Sequence, residues 1–279
     1  MMTPTDNPAI GKRLEVGGIA TNYHEAGRGF PLLLLHGSGI GVSAYANWDE
    51  TLPVMGRSFH AVAMDVAGFG YSDAPADAVF SLDYWVKHVI AFMDAMGFAK
   101  AHLLGNSFGG ALALAVTARH PGRVERTVLM GSAGVPFEIT PKFNAGVGFH
   151  GRRDEMRGLM ENFTIDPSSI TETMIDLRYN TYKKPGYEEV FKRLFPPSRE
   201  GKMNAMLTPE ADIAAIQNEV LLVHGREDYV VSKETSLRLS SMIRRSELHI
   251  FGECGHWSHR DKAARFNRVV ADFLLGTQA

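Results

Sequence analysis

The residues Gly105-Asn106-Ser107-Phe108-Gly109 have the spacing G-x-S-x-G. An apolar run over 101–104 precedes them, and Ala111-Leu112-Ala113-Leu114-Ala115 follows. A strand, a sharp turn and a helix in that order expose a serine hydroxyl at the strand's C-terminal end, because the flanking glycines allow the backbone to fold tightly. A serine hydroxyl is a weak nucleophile unless a base takes its proton and a third group orients that base. With this kind of elbow the partners follow in the chain order serine, acid, histidine. Ser107 is therefore the candidate nucleophile.

Two later segments fit the partners. Val220-Leu221-Leu222-Val223-His224-Gly225-Arg226-Glu227-Asp228 reads as a strand and then a loop with two carboxylates, of which Asp228 is favoured over Glu227 as the orienting acid. Leu248-His249-Ile250-Phe251-Gly252-Glu253-Cys254-Gly255-His256 reads as another strand followed by a loop histidine, and His256 is the expected base. The competing histidines at 36, 60, 88, 102, 120, 224 and 249 precede the nucleophile, fall inside regular elements or stop short of a loop. His36-Gly37-Ser38-Gly39 ends an earlier apolar run, where a second oxyanion donor is expected. The backbone N–H groups of Ser38 and Phe108 are assigned to that oxyanion hole. His256 and His259 lack the companions of a metal site, so no metal and no cofactor are expected. Cys254 reads as a small packed thiol.

The elements that must carry these residues are legible as alternation. A hairpin is expected over 13–26, around Gly17-Gly18. Solid apolar runs at 31–35, 59–64, 101–104, 127–130, 220–223 and 248–251 suit strands buried on both faces. Helical periodicity marks 82–96, 108–119 and 262–275. Strand alternating with helix predicts an α/β fold, a mainly parallel sheet with helices on both faces. The rhythm fails over 135–207, which holds prolines and amphipathic Met- and Phe-bearing segments but no buried-strand run. That stretch is expected to be an inserted helical lid, and 1–134 with 208–279 the core domain.

Composition narrows the function classes. The chain has 279 residues, 45 % of them hydrophobic, enough for a sizeable core without staples. Its formal net charge of −2 gives no reason to expect a nucleic-acid or membrane partner. One cysteine excludes an intramolecular disulfide. The polar N-terminus lacks a signal-peptide pattern, and no apolar stretch reaches a membrane span. A soluble cytoplasmic protein is expected.

The run His36-Gly37-Ser38-Gly39-Ile40-Gly41-Val42-Ser43-Ala44-Tyr45-Ala46-Asn47-Trp48 resembles the meta-cleavage product hydrolases of the α/β-hydrolase superfamily. So do Gly68-Phe69-Gly70-Tyr71-Ser72-Asp73, the serine elbow, His224-Gly225-Arg226-Glu227-Asp228 and Cys254-Gly255-His256-Trp257. The likeness runs from about residue 10 to 275 and is nearest to the 2-hydroxymuconate semialdehyde hydrolases. It implies hydrolysis of a C–C bond in a 2-hydroxy-6-oxohexa-2,4-dienoate, an anionic dienone made by ring-opening of a catechol. It further implies that Asn47, Asn106, Phe163, Arg178 and Trp257 line the substrate site, with Arg178 on the carboxylate and enol end, and that the protein is a homo-oligomer. Asn47 has a structural alternative, as the cap of a helix starting at Trp48. Ile40 departs from the family's usual proline, and 65–68 differ modestly. Two other functions share the scaffold: a carboxylesterase, which would prefer small esters, and a non-catalytic ligand-binding protein, which would fail to react with a serine-directed probe.

Overall fold

The structure is a computed structural model that describes residues 7–144 and 149–276. The expected hairpin is present, β1 (Lys12–Val16) turning at Gly17-Gly18 into β2 (Ile19–Ala26). Then come β3 (Pro31–Leu35), α1 (Ala44–Trp48), α2 (Thr51–Met55), β4 (His60–Met64), α3 (Leu82–Ala95), β5 (Ala101–Asn106), α4 (Phe108–Arg119) and β6 (Val124–Met130). The chain continues through α5 (Arg153–Glu161), α6 (Glu172–Tyr182), α7 (Tyr187–Leu194), α8 (Arg199–Asn204) and α9 (Glu210–Ala214). It closes with β7 (Glu219–Gly225), α10 (Glu234–Met242), β8 (Ser246–Phe251), α11 (Ser258–Asp261) and α12 (Ala263–Leu275).

The eight strands make one sheet in the order β1-β2-β4-β3-β5-β6-β7-β8. Only β2 runs antiparallel to its neighbours; from β4 to β8 every pairing is parallel. The apolar runs are continuous because both faces are covered. In β3, Leu33 and Leu35 join the core shared with Trp85, Phe92 and Leu112, whereas Leu32 and Leu34 join Trp48, Met55, Phe266 and Val270. Helices α3 and α4 thus cover one face, and α1, α2 and α12 the other. Both layers place the C-terminal ends of β3, β5, β6 and β7 side by side, and loops at those ends carry the chemistry-bearing residues.

Between β6 and β7 the described residues contain helices and no strand. Met156, Met160, Ile170, Met174 and Ile175 form a separate apolar cluster there, and Trp257, from the loop after β8, belongs to it. Arg153 pairs with Asp176 and Glu172, each at 2.7 Å, and Arg157 meets Glu172 at 2.6 Å, tying α5 to α6. The structural alternative for Asn47, a helix cap, does not hold: Asn47 lies inside α1. The helix is capped instead by Ser43, whose hydroxyl accepts from Ala46 N–H at 3.1 Å.

Candidate active site

Ser107 stands at the junction of β5 and α4 with φ 55° and ψ −114°, a backbone state that costs a non-glycine residue energy. Hydrogen bonds fix it there. Its N–H donates to Met130 O at 2.9 Å, and its carbonyl accepts from Ala111 N–H and Ala133 N–H. The turn is possible only because Gly105 and Gly109 nearly touch. A Cβ on Gly105 would lie 2.2 Å from Gly109 O, and one on Gly109 would lie 2.2 Å from Leu35 O.

The loop after β7 places Asp228 against His256 from the loop after β8, with Asp228 Oδ2 2.7 Å from His256 Nδ1. Oδ1 accepts from Val230 N–H at 2.8 Å and Val231 N–H at 3.0 Å, so the carboxylate cannot swing. Burial alone would raise this carboxyl's pKa. The charge of His256 and hydrogen bonds from His224 and His256 outweigh it, holding Asp228 well below the usual carboxylate range. Glu227 faces elsewhere: Arg226 Nε donates to it at 2.7 Å and Cys254 N–H at 3.0 Å. Beneath the pair lies Gly131, at φ 50°; a Cβ there would come within 3.0 Å of His256 Nδ1.

His224 is a partner that sequence reading passed over. It sits within β7, yet its Nε2 is 3.1 Å from Asp228 Oδ2 and 2.9 Å from Val231 O. Its Nδ1 is 2.7 Å from Ser236 Oγ. Two acceptors around Nε2 place a proton there, so His224 donates to Asp228, and the hydrogen bond between Nδ1 and Ser236 Oγ fixes the ring. The signal available was the spacing of His224 and Asp228 across the turn that ends β7.

Ser107, His256, Asn47, Asn106, Phe163, Arg178, Trp257 and Ser38 all line one inner cavity of about 50 Å³. It shares Ser38, Gly39, Phe143, Phe163, Arg178 and Lys202 with an outer cavity of about 320 Å³ beneath α7 and α8. No hydrogen bond joins Ser107 Oγ to His256; such contacts often tighten only when substrate arrives. Phe108 turns its ring into the core beside Trp85, Phe69 and Phe195, leaving its N–H at the start of α4. That N–H and the one on Ser38 have no protein acceptor among the described residues. The loop carrying Ser38 is anchored by His36, whose Nδ1 donates to Gly37 O at 2.6 Å while Nε2 accepts from Val66 N–H at 3.0 Å.

Asn47 Oδ1 accepts from Gly37 N–H at 3.1 Å, while its Nδ2 is buried without a partner. Asn106 Nδ2 reaches Met130 O at 3.4 Å. Phe163 stacks on Trp257 with ring centroids 4.9 Å apart and lies 5.8 Å from the His256 ring. Arg178, on α6, is 4 % exposed. Its Nη1 donates to Ile40 O at 3.1 Å, and its guanidinium lies over Trp257 at 5.2 Å and Phe163 at 5.7 Å. Burial lowers its pKa to about 10, and no carboxylate of the described residues pairs with it. Cys254 is buried, its thiol pushed up to about 12 by burial. His259 donates Nε2–H to Asn47 O at 2.9 Å, and no metal-binding cluster occurs among the described residues.

Residues 31–263 match the model of the alpha/beta hydrolase fold. The full chain is 44 % identical to the 2-hydroxymuconate semialdehyde hydrolase of Pseudomonas sp. (strain CF600), covering 99 % of it. The chain belongs to the meta-cleavage product hydrolases. It is also 42 % identical, over 96 % of its length and 97 % of the relative's, to the 2-hydroxy-6-oxo-2,4-heptadienoate hydrolase of Pseudomonas putida. A solved meta-cleavage product hydrolase from Pseudomonas fluorescens IP01 superposes with a TM-score of 0.93 at 44 % identity, covering 98 % of this chain and 100 % of that one. Fold and family expected from the residues of this hydrolase are therefore those observed. No helix among its described residues is long and apolar enough to cross a membrane.

Proposed function

We propose that this chain hydrolyses the C5–C6 bond of a 2-hydroxy-6-oxohexa-2,4-dienoate, with Ser107 as nucleophile, His256 as base and Asp228 as its orienting acid. The observation that carries the reading is Arg178: a buried guanidinium with one protein hydrogen bond, sharing a cavity with Ser107. A planar substrate carboxylate satisfies its remaining donors. Trp257 and Phe163 supply flat faces for the conjugated chain. Asn47 and Asn106 offer amides to the enol and keto oxygens.

The reaction then has two halves. The dienol is first ketonised by protonation at C5, so that a ketone at C2, conjugated through C3=C4, becomes an electron sink. Ser107 Oγ, losing its proton to His256, bonds to C6. The C6 oxygen becomes an oxyanion held by the Ser38 and Phe108 N–H groups and the positive end of α4. Collapse breaks C5–C6 and sends its electron pair into the C2 ketone, and the protonated His256 supplies the proton that makes 2-hydroxypenta-2,4-dienoate. Water, deprotonated by His256, releases the carboxylic acid from Ser107. The helices within 135–207 act as the lid that keeps bulk water from this sequence. We include in the same reading a cytoplasmic, homo-oligomeric enzyme.

The test is direct. The purified chain bleaches yellow 2-hydroxymuconate semialdehyde, and S107A does not. H256A slows the rapid absorbance change that precedes cleavage. Absence of bleaching with the semialdehyde and with its 6-methyl and 6-phenyl analogues, beside rapid turnover of small esters, would make the chain a carboxylesterase instead.

A further inference from the structure

Lys202, on α8, reaches the inner cavity beside Ser107 and the outer cavity alike. Its residue surface is half-buried, but its ammonium lies inside, 5.5 Å from the centroid of the Phe143 ring and 5.3 Å from that of Phe195. It has neither a hydrogen bond nor an ion pair among the described residues. Burial alone acts on it and lowers its pKa to about 8. An ammonium held between two rings, without an anion, is poorly compensated. Ring faces offset part of that cost, but they leave its three N–H donors free.

Arg178 does not account for it. Arg178 packs over Trp257 and Phe163, whereas Lys202 packs over Phe143 and Phe195, so the two cations rest on different walls of the cavity. If Arg178 takes the carboxylate common to all dienoates of this class, Lys202 remains for a second acceptor. The approach carries the same sign: Lys142 and Lys192 line the outer cavity, and neither cavity is lined by an Asp or Glu. This positive lining belongs to a chain whose net charge is −2. A positive, low-dielectric cleft concentrates multiply charged anions.

We propose that Lys202 forms a second anion subsite, on the acyl side of the scissile bond, which selects dienoates whose C6 substituent ends in a carboxylate. The inference rests on the reaction proposed above, with the C6 acyl group leaving as a dicarboxylic acid. A matched pair of substrates tests it: 2-hydroxy-6-oxonona-2,4-dienedioate and 2-hydroxy-6-oxonona-2,4-dienoate, which differ only in a terminal carboxylate against a methyl group. The expected kcat/KM favours the dianion, and in K202M that ratio falls roughly ten- to a hundredfold, as for loss of a charge-assisted hydrogen bond. The change appears mainly in KM, and K202R restores most of the ratio.

A ratio unchanged in K202M overturns the subsite, as does an equal loss on both substrates. To separate this from the reaction itself, S107A and S107A/K202M are titrated with each dienoate, reading the absorbance shift of bound substrate. A chain inert toward both substrates sinks the reaction, while the titration still reads the subsite: Lys202 must strengthen binding of the dianion more than of its methyl counterpart.

Discussion

Replacing Arg178 by glutamine is the most incisive test of how substrate is held. The guanidinium has five N–H donors, and one of them is engaged, by Ile40 O at 3.1 Å. Glutamine retains a donor for that carbonyl but removes the charge and the fork. A charge-assisted hydrogen bond is worth about 1.5–3 kcal/mol, so losing a bidentate pair should cost about 3–4 kcal/mol. At about 1.4 kcal/mol per tenfold, kcat/KM for 2-hydroxymuconate semialdehyde should fall roughly 10²- to 10³-fold. The loss should sit mainly in KM, because the carboxylate is present before and after attack at C6. Stopped-flow decay of the dienolate absorbance measures it, with urea unfolding as the control for lost packing on Trp257 and Phe163. p-Nitrophenyl acetate supplies the internal comparison, since it has no carboxylate. The reasoning is refuted if the semialdehyde loses less than threefold, or if the ester loses as much as the semialdehyde.

His224→Gln removes the ring that donates to Asp228 Oδ2 at 3.1 Å; kcat should drop about tenfold or more, and the acid limb of its pH profile should move upward, because a carboxylate that has lost a donor favours the protonated form of the base beside it. An unchanged profile would reduce His224 to packing. Stability should also fall in acid because of His88, whose Nδ1 accepts from Ala67 N–H at 3.2 Å and whose ring must therefore be neutral in the fold. Burial depresses its pKa to about 4 from the ordinary histidine value of about 6.5. The unfolded chain thus binds this proton first: His88's contribution is intact above about pH 6.5, wanes as pH falls, and is gone near 4. The change amounts to about 3 kcal/mol. Urea melts at pH 7 and pH 4.5 should show it, with a smaller difference in H88Q; an equal difference in the variant would clear His88.

The elbow, the strand order of chemistry and the alternating architecture are written in short contiguous stretches. Gly105-Asn106-Ser107-Phe108-Gly109 dictates its own geometry, because the steric permissiveness of glycine acts over a few bonds. The double-sided burial of β3 is equally local, in that four consecutive leucines leave no polar face. Arg178, Phe163 and Trp257 were legible only through likeness to known hydrolases, since nothing in their own segments sets them apart from core or surface.

Tertiary structure alone decided contacts across long separations. Lys202 from α8, Phe143 and Ser107 meet in one cavity only after helices and sheet have packed. The packed chain starts α1 at Ser43 rather than at Asn47, which leaves the Asn47 side-chain oxygen to accept from Gly37 N–H. Gly131 gives no sign in sequence that a methyl group there would press on His256. His224 touches Asp228 because β7 continues to Gly225 before the chain turns back. Sequence specifies which groups can do chemistry and the turn that presents the nucleophile, because those depend on residue type and neighbouring dihedrals. Which groups share a low-dielectric cavity depends on the packing of whole elements, and that determines which charges must find a partner in the substrate.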